Sequence, residues 1–290
     1  MSDDTAYRPR RSVLYMPGNN ERALEKARTL PVDALILDLE DAVGPDHKEA
    51  ARDNVCAAAR SGAHGQREVT IRVNALGTQW HEADLAAACA AGPDGIVVPK
   101  VDSAEEVRDL VAAMDRHGAP PQTRLWAMIE TPVAVLDARE IATASSRLAV
   151  LVLGVNDLVK ELGSRHVSGR QPLLTALSMS VLAARAAGVA VLDGVWNDVR
   201  DLEGFEAECR QGRDLGFDGK TLIHPAQVDP CNTVFAPSAE EVEEARGVIQ
   251  AWEAGSGAGV VTYRGRMVES LHVDIARRLV ATDEAIRARD

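Results

Sequence analysis

Ala149-Val-Leu-Val-Leu-Gly-Val-Asn-Asp157 is the stretch whose reading decides the fold. Aliphatic residues run without alternation, stop at a glycine, and are followed at once by an amide and an acid. Such a run suits a strand buried on both faces, as in a parallel sheet covered by helices. Seven more runs of this kind are spread along the chain: Ser12–Met16, Ala34–Leu39, Val69–Asn74, Gly95–Lys100, Leu125–Glu130, Val189–Gly194 and Phe217–His224. The segments between them are long enough for crossover helices. Ser103-Ala-Glu-Glu106 reads as a capping box, and Pro172 suits the first turn before a helix over Leu173–Ala187. Eight strand–helix units in series predict a (β/α)8 TIM barrel rather than an open doubly wound sheet. No glycine-rich nucleotide fingerprint is present to favour the open sheet.

The bulk numbers agree. A chain of 290 residues is close to the roughly 250 that one such barrel takes. Hydrophobic residues make up 46% but aromatics only 3%, so the core must be built from Ala, Val, Leu and Ile. A formal charge of −12 argues against nucleic acid or anionic lipid as a partner. The cysteines Cys56, Cys89, Cys209 and Cys231 form no C-x-x-C pair, which disfavours zinc, and the chain's size disfavours a disulfide framework. The N-terminus MSDDTAYRPRR has no apolar signal region and no long apolar run follows, so the cytoplasm is expected.

Residues 1–236 are read as the barrel and 237–290 as a C-terminal helical extension of the same domain. Ser238-Ala-Glu-Glu241 is a second capping box, opening a helix to about Ala254. Gly255-Ser-Gly-Ala-Gly259 reads as a flexible joint, followed by a short Val260–Tyr263 run and an amphipathic helix over about Leu271–Arg287. This tail is expected either to pack on the barrel or to reach a neighbouring subunit as a lid.

A TIM barrel carries its active site at the C-terminal ends of its strands. The runs end on Asp38-Leu-Glu40-Asp41, on Arg72 and Asn74, on Pro99-Lys100, on Glu130, on Asn156-Asp157, on Asp193-Gly194, and on Lys220 to His224. Glu130 and Asp157 come from adjacent strands. Hard oxygen ligands without Cys or His suit Mg²⁺, with water and substrate oxygens completing the shell. The plainer reading is that they cap helices or bond loop backbone. Arg72 offers a planar fork for a substrate carboxylate; the alternative is a barrel-interior salt bridge to Asp38 or Glu40. Glu40 and Asp41 are candidates to orient water or take a proton, since gathered like charges raise a carboxyl pKa. Lys100 is a candidate for phosphate binding or, less well, a Schiff base. His224 reads as structural. Gly18-Asn19-Asn20, with Arg22 beyond, is a weak candidate for phosphate binding, which a simple turn explains equally well.

The same residues lie in strings that resemble a known family. RSVLYMPGNNERALEKA (11–27), LILDLEDAV (35–43), IRVNALGT (71–78), VVPKV (97–101), MIETP (128–132), LGVNDL (153–158), GFDGKTLIHPAQ (216–227) and FAPS (235–238) occur in this order. Together they resemble the HpcH/HpaI aldolase and citrate lyase beta-subunit family. WAMIET, NDLVKELGSR, LDGVWND and RMVESLHV are most similar to its (3S)-malyl-CoA thioesterase and methylmalyl-CoA lyase branch. The resemblance implies a TIM barrel, Mg²⁺ held by Glu130 and Asp157, a carboxylate bound by Arg72, and a metal water shell lined by Glu40 and Asp41. It implies a homo-oligomer, trimer or hexamer, and an acyl-CoA thioester substrate such as malyl-CoA or citramalyl-CoA. Many lyase members of the family read M-[VI]-D-x-P near the C-terminus, and that Asp reaches a neighbour's active site. Here the string is Met267-Val-Glu269-Ser-Leu271, which puts any chemistry that needs the Asp in question.

Four functions follow. Carbon–carbon cleavage would give a 2-oxo acid such as glyoxylate and an acyl-CoA, with Glu269 in the role of the Asp. Thioester hydrolysis would use the same pocket. A citrate lyase beta-like subunit would depend on an acyl carrier partner. A non-catalytic barrel is disfavoured by the joint presence of Arg72, Glu130 and Asp157.

Overall fold

The computed structural model describes residues 8–255 and 259–289. Two compact units emerge: Arg10–Asn232, and Thr233 onward together with Arg8 and Pro9.

The first unit is the barrel. All eight aliphatic runs form strands: β1 (Ser12–Pro17), β2 (Ala34–Asp38), β3 (Glu68–Arg72), β4 (Gly95–Val98), β5 (Arg124–Ile129), β6 (Leu148–Leu153), β7 (Ala190–Asp193) and β8 (Gly219–Leu222). They pair in parallel in sequence order, and β8 returns to β1 through Ser12↔Lys220, Val13↔Thr221 and Leu14↔Leu222. Most strands stop one or two residues before the run does, because the chain turns outward at the mouth. Pro99 has no N–H with which to continue the ladder, and Lys100 follows it with φ 52°. Glu40, Asp41, Asn74, Lys100, Glu130 and Asp157 therefore stand beyond the strands at the mouth, while Asp38, Arg72 and Asp193 sit on the last rungs.

Val13, Ala34, Ile36, Val97, Met128, Val150, Val152 and Leu192 fill the barrel interior, as an aromatic-poor composition requires. Trp126 is the large member of that cluster and is fully buried. Its ring leaves no room opposite: a Cβ at Gly95 would lie 2.9 Å from Trp126 Nε1 and 3.1 Å from the Thr70 methyl.

Helix starts follow the expected chemistry with one change. At Ser238 the box is complete: Ser238 Oγ accepts the Glu241 N–H at 3.1 Å and Glu241 Oε2 accepts the Ser238 N–H at 2.7 Å. At Ser103, Oγ accepts the Glu106 N–H at 3.2 Å, but Glu106 reaches back one residue further, to the Asp102 N–H at 2.6 Å. Pro172 lies in a 3₁₀ turn, Ser168–Leu173, ahead of the helix Leu174–Ala187.

A buried ionic cluster ties β7 and β8 to the helix Leu202–Leu215. Asp193 and Lys220 are fully buried, and Arg170 and Glu208 complete the set: Arg170–Asp193 2.6 Å, Lys220–Asp193 3.1 Å, Lys220–Glu208 2.7 Å. Burial alone would raise the Asp193 pKa, but Lys220 and Arg170 outweigh it and hold the carboxyl below 3.8. All four cysteines are buried and free, and no described helix is long and apolar enough to cross a membrane.

In the second unit the helix Ala239–Ala254 packs with the helix Ser270–Arg287, burying Val242, Ala245, Val273 and Ala276. Between them β9 (Val261–Tyr263) pairs antiparallel with β10 (Arg266–Val268). Arg264 and Gly265 both have positive φ, the signature of a tight hairpin turn. Of the Gly255–Gly259 joint, Ser256, Gly257 and Ala258 lie outside the described residues, as does the N-terminal segment 1–7.

Two stability predictions follow from this packing. Gly95→Ala should cost about 1–3 kcal/mol by overpacking against Trp126, read from denaturant midpoints. Combining it with Trp126→Phe should cost clearly less than the sum of the two; strict additivity would mean the two sites do not touch. Asp193→Asn should cost about 3–5 kcal/mol, because it leaves two buried cations short of an anion. A depressed carboxyl pKa stabilises above its unfolded value, and that contribution fades as pH falls through the folded one. The variant's deficit should therefore be flat near neutrality and shrink below pH 3.8. A deficit that grows in acid would contradict the cluster's polarity.

Candidate active site

The register Asp38↔Arg72 places an acid and a base side by side at the last rung of β2 and β3. The guanidinium grips Asp38 with two bonds, Nε–Oδ1 2.6 Å and Nη2–Oδ2 2.8 Å. Its remaining nitrogen, Nη1, is 2.8 Å from Glu40 Oε2 and 3.4 Å from Asp41 Oδ2. The guanidinium carbon lies 4.8 Å from the centre of the Tyr15 ring, which stacks beneath it. So the interior salt bridge does form, and Nη1 is the part of Arg72 turned toward the acids of the β2 loop.

Glu130 follows β5 directly and is 2% exposed. Its Oε1 accepts the Lys100 N–H at 2.8 Å, a bond that the left-handed turn at Lys100 makes possible. Gly154 is obligatory beside it, since a Cβ there would lie 2.1 Å from Glu130 Oε2. Asp157 sits in the first turn of the helix Val155–Glu161. Lys100 Nζ lies 3.3 Å from Asp157 Oδ1, so one lysine touches both candidate metal ligands, through its backbone and its side chain.

Tyr15, Asp38, Asp41, Arg72, Glu130 and Asp157 line a cleft of about 310 Å³, and Glu40 and Lys100 adjoin it through their contacts with Arg72, Glu130 and Asp157. Asp38, Glu40, Asp41, Glu130 and Asp157 bring five carboxylates, against the two cations Arg72 and Lys100. The imbalance shows in the acids. Burial pushes Glu130 up to about 7, with Lys100 opposing and Asp157 adding to the rise. Burial pushes Glu40 up to about 8, with Arg72 opposing and Asp41 and Glu130 adding. Burial works against the Lys100 charge, but Glu130 and Asp157 hold it protonated. A hard divalent cation fits this donor set: it would relieve the acid excess at the two carboxylates that Lys100 contacts. Among the described residues no three His, Cys, Asp or Glu side chains gather to hold an ion by themselves. A cation here would thus keep positions for water and substrate.

The other candidates are placed as follows. The Gly18 N–H bonds to Asp38 O at 2.9 Å, and a Cβ there would meet that oxygen at 2.7 Å, so close packing accounts for this glycine. Asn20 caps the short helix Glu21–Ala27, on which Arg22 is exposed. His224 Nδ1 accepts the Ala226 N–H at 3.1 Å, a structural role. Glu269 lies in the second unit at the start of the helix Ser270–Arg287, its N–H bonded to His272 Nδ1 at 3.1 Å. Tyr15 and Met128 also face the cleft, and Met128 Sδ lies 4.0 Å from Arg72 Nη1. Neither stands out in the sequence, although Tyr15 is two residues on from the inward-facing Val13 and shares its side of β1. A larger cavity, about 510 Å³, shares Val155 and Val195 with the cleft; of its charged residues Arg170 and Glu208 face each other at 3.5 Å, while Asp198 and Asp201 accept the Arg200 and Gly204 N–H groups.

Known proteins share this arrangement of sequence and fold. The chain is 48% identical to a (3S)-malyl-CoA thioesterase of Cereibacter sphaeroides strain KD131, over 97% of this chain and 96% of that one. It is 37% identical to citrate lyase subunit beta of Escherichia coli strain K12, over 98% and 96%. The solved structure of CitE from Mycobacterium tuberculosis in complex with magnesium, acetoacetate and coenzyme A superposes with a TM-score of 0.78 at 30% identity, covering 96% of this chain and 99% of that one. The model of the HpcH/HpaI aldolase/citrate lyase family matches residues 11–225, which takes in all eight strands and every acid of the cleft. The chain belongs to that family.

Proposed function

We propose that this chain is a Mg²⁺-dependent enzyme acting on a malyl-type CoA thioester, and that its reaction is hydrolysis of the thioester to a free 3-hydroxy acid and CoA thiol. The observation that carries the reading is the paired carboxylate site, Glu130 and Asp157 on Lys100, beside an arginine whose Nη1 faces the β2-loop acids. The 48% full-length likeness to a (3S)-malyl-CoA thioesterase supports hydrolysis. Cleavage of the carbon–carbon bond to glyoxylate and acetyl-CoA is the second reading, favoured by the likeness to citrate lyase subunit beta.

Glu130 and Asp157 would hold the cation, which when bound supplies Lewis acidity and a template for substrate oxygens. Arg72 Nη1 would take the substrate carboxylate, with Nε and Nη2 kept on Asp38 so that the fork cannot swing. Glu40, with its pKa near 8, is matched to accept a proton from an attacking water near neutral pH. Water oxygen bonds to the thioester carbonyl carbon, the C–S bond breaks, and the thiolate leaves and takes a proton. In the lyase reading the same base would take the 3-hydroxyl proton instead. Lys100 would favour the ionised form of Glu130 against its burial and pair with Asp157. Glu269 would serve the site of a neighbouring copy; the exposed apolar residues Met267, Leu271 and Ile275 around it support a partner for this segment.

With (3S)-malyl-CoA and Mg²⁺, the purified protein should release thiol and malate without glyoxylate. Glyoxylate with acetyl-CoA would replace hydrolysis by the lyase reading, and turnover only on adding an acyl carrier protein would support a carrier-dependent subunit. Asp157→Ala should lower turnover at least ~10²-fold and abolish Mn²⁺ binding followed by electron paramagnetic resonance; unchanged metal binding would remove Asp157 from the site. Glu269→Asp should raise the ratio of glyoxylate to malate, and an unaltered product ratio would show that residue 269 does not select the reaction.

A further inference from the structure

Lys48 is 5% exposed, eight residues past Glu40, and its ammonium faces neutral oxygens. Nζ donates to Leu39 O at 2.7 Å, to Glu40 O at 2.7 Å and to Asn74 Oδ1 at 2.6 Å. Three donors meet three acceptors, so the ammonium is fully used. The amide of Asn74 is oriented by its surroundings: Nδ2 donates to Asp84 Oδ2 at 2.5 Å and to Leu39 O at 3.0 Å, leaving Oδ1 for the lysine. Asp84 is fully buried and its other oxygen accepts Arg52 Nε at 2.7 Å. The lysine also lies 5.2 Å from the centre of the Trp80 ring.

This network fixes one residue from both sides. The Glu40 N–H is held by Asp38 Oδ1 at 2.9 Å and its carbonyl by Lys48 Nζ. The Leu39 N–H bonds to Arg72 O at 2.9 Å, while its carbonyl takes both Lys48 and Asn74. Loops seldom receive such support, because their backbone groups usually turn to water. Here a buried cation is spent on two carbonyls next to the carboxylates that meet Arg72. We infer that Lys48 is a positioning residue, which sets the direction of the Glu40 and Asp41 side chains by clamping the carbonyls of Leu39 and Glu40. The inference deepens the proposed function and rests on it for the role of Glu40.

Lys48→Met keeps the length of the side chain and removes the clamp. Backbone hydrogen exchange over residues 39–42, followed by mass spectrometry, should accelerate at least ~10-fold, with the strands β5 and β6 unchanged. On malyl-CoA, kcat should fall ~10²-fold while KM and the Mg²⁺ half-saturation move less than about threefold. Added to Glu40→Gln, the change should cost little more, since the role passes through Glu40. Unchanged exchange over 39–42 overturns the inference whatever the enzyme's substrate. So does a loss that falls equally on Mg²⁺ affinity and KM, or one fully additive with Glu40→Gln. Wild-type protein inert toward malyl-CoA overturns the proposed function instead, and the exchange measurement then decides the clamp alone. Should Lys48→Met fail to fold, Asn74→Ala removes one acceptor, and the same split at smaller size is expected; its absence is equally fatal.

Discussion

The Asp38–Arg72 pair is the interaction on which the rest of the mouth depends. Closing eight parallel strands gathers their C-terminal ends into one opening, and here that geometry brings five acids together. Carboxylates crowded into a half-dry cleft would protonate or push apart. Arg72 opposes this on one side, keeping Asp38 ionised although burial still pushes Glu40 up, because the strand register, and not a flexible loop, sets it against Asp38. With two of its nitrogens committed there and its face on Tyr15, the third has one direction left, toward Glu40 and Asp41. Lys100 does the corresponding work for Glu130 and Asp157, and the left-handed turn at that lysine lets its backbone and side chain act on different acids.

Much of this was legible in the sequence, for a definable reason. A strand buried on both faces is written as unbroken Val, Ile and Leu, so an acid that ends such a run is conspicuous. Glu130 and Asp157 are conspicuous in that way, as is the base Arg72, and the structure puts all three on one cleft. The same feature hides the inward and outward alternation. When every position is apolar, nothing tells Tyr15 or Trp126 apart from neighbours that face the helices. The demand that Trp126 makes on Gly95 is equally silent until the strands are in register. Asp193 and Lys220 also end or begin runs, yet they turn to the helix Leu202–Leu215 and neutralise each other away from the cleft. A charged residue near a strand end therefore does not by itself mark a place on the cleft.

Lys48 illustrates the complementary failure. It opens the helix Lys48–Arg60, where a lysine reads as a solvated surface charge. Its burial depends on Asn74 and Asp84, which the chain supplies from the loop after β3 and the helix that follows. In the tail the Val260–Tyr263 run is the readable part, matching β9, while Arg266-Met-Val268 of β10 is too short to carry a pattern.

The choice between hydrolysis and carbon–carbon cleavage has a physical location under the proposed reading. Both reactions need the substrate carboxylate fixed, a carbonyl oxygen polarised and one proton removed, and the barrel residues serve either. They part afterwards. Cleavage leaves a carbanion-like acyl fragment that must receive a proton at carbon from a closely placed acid, with water kept out. Hydrolysis needs water admitted to the carbonyl carbon. Among the described barrel residues each of these carboxylates is engaged with Arg72 or Lys100, and Glu40, the one given a proton-transfer role, already serves the first proton. Under the proposed reading the protonation at carbon would fall to a group from outside the barrel, and the family resemblance implies an Asp in lyases where this chain has Glu269. A glutamate carries its carboxyl one carbon further from a backbone that the helix start holds in place through His272. Protonating a carbon demands alignment that a displaced carboxyl does not meet, whereas orienting a water tolerates the displacement. The longer side chain therefore weighs toward hydrolysis without any change in the metal site.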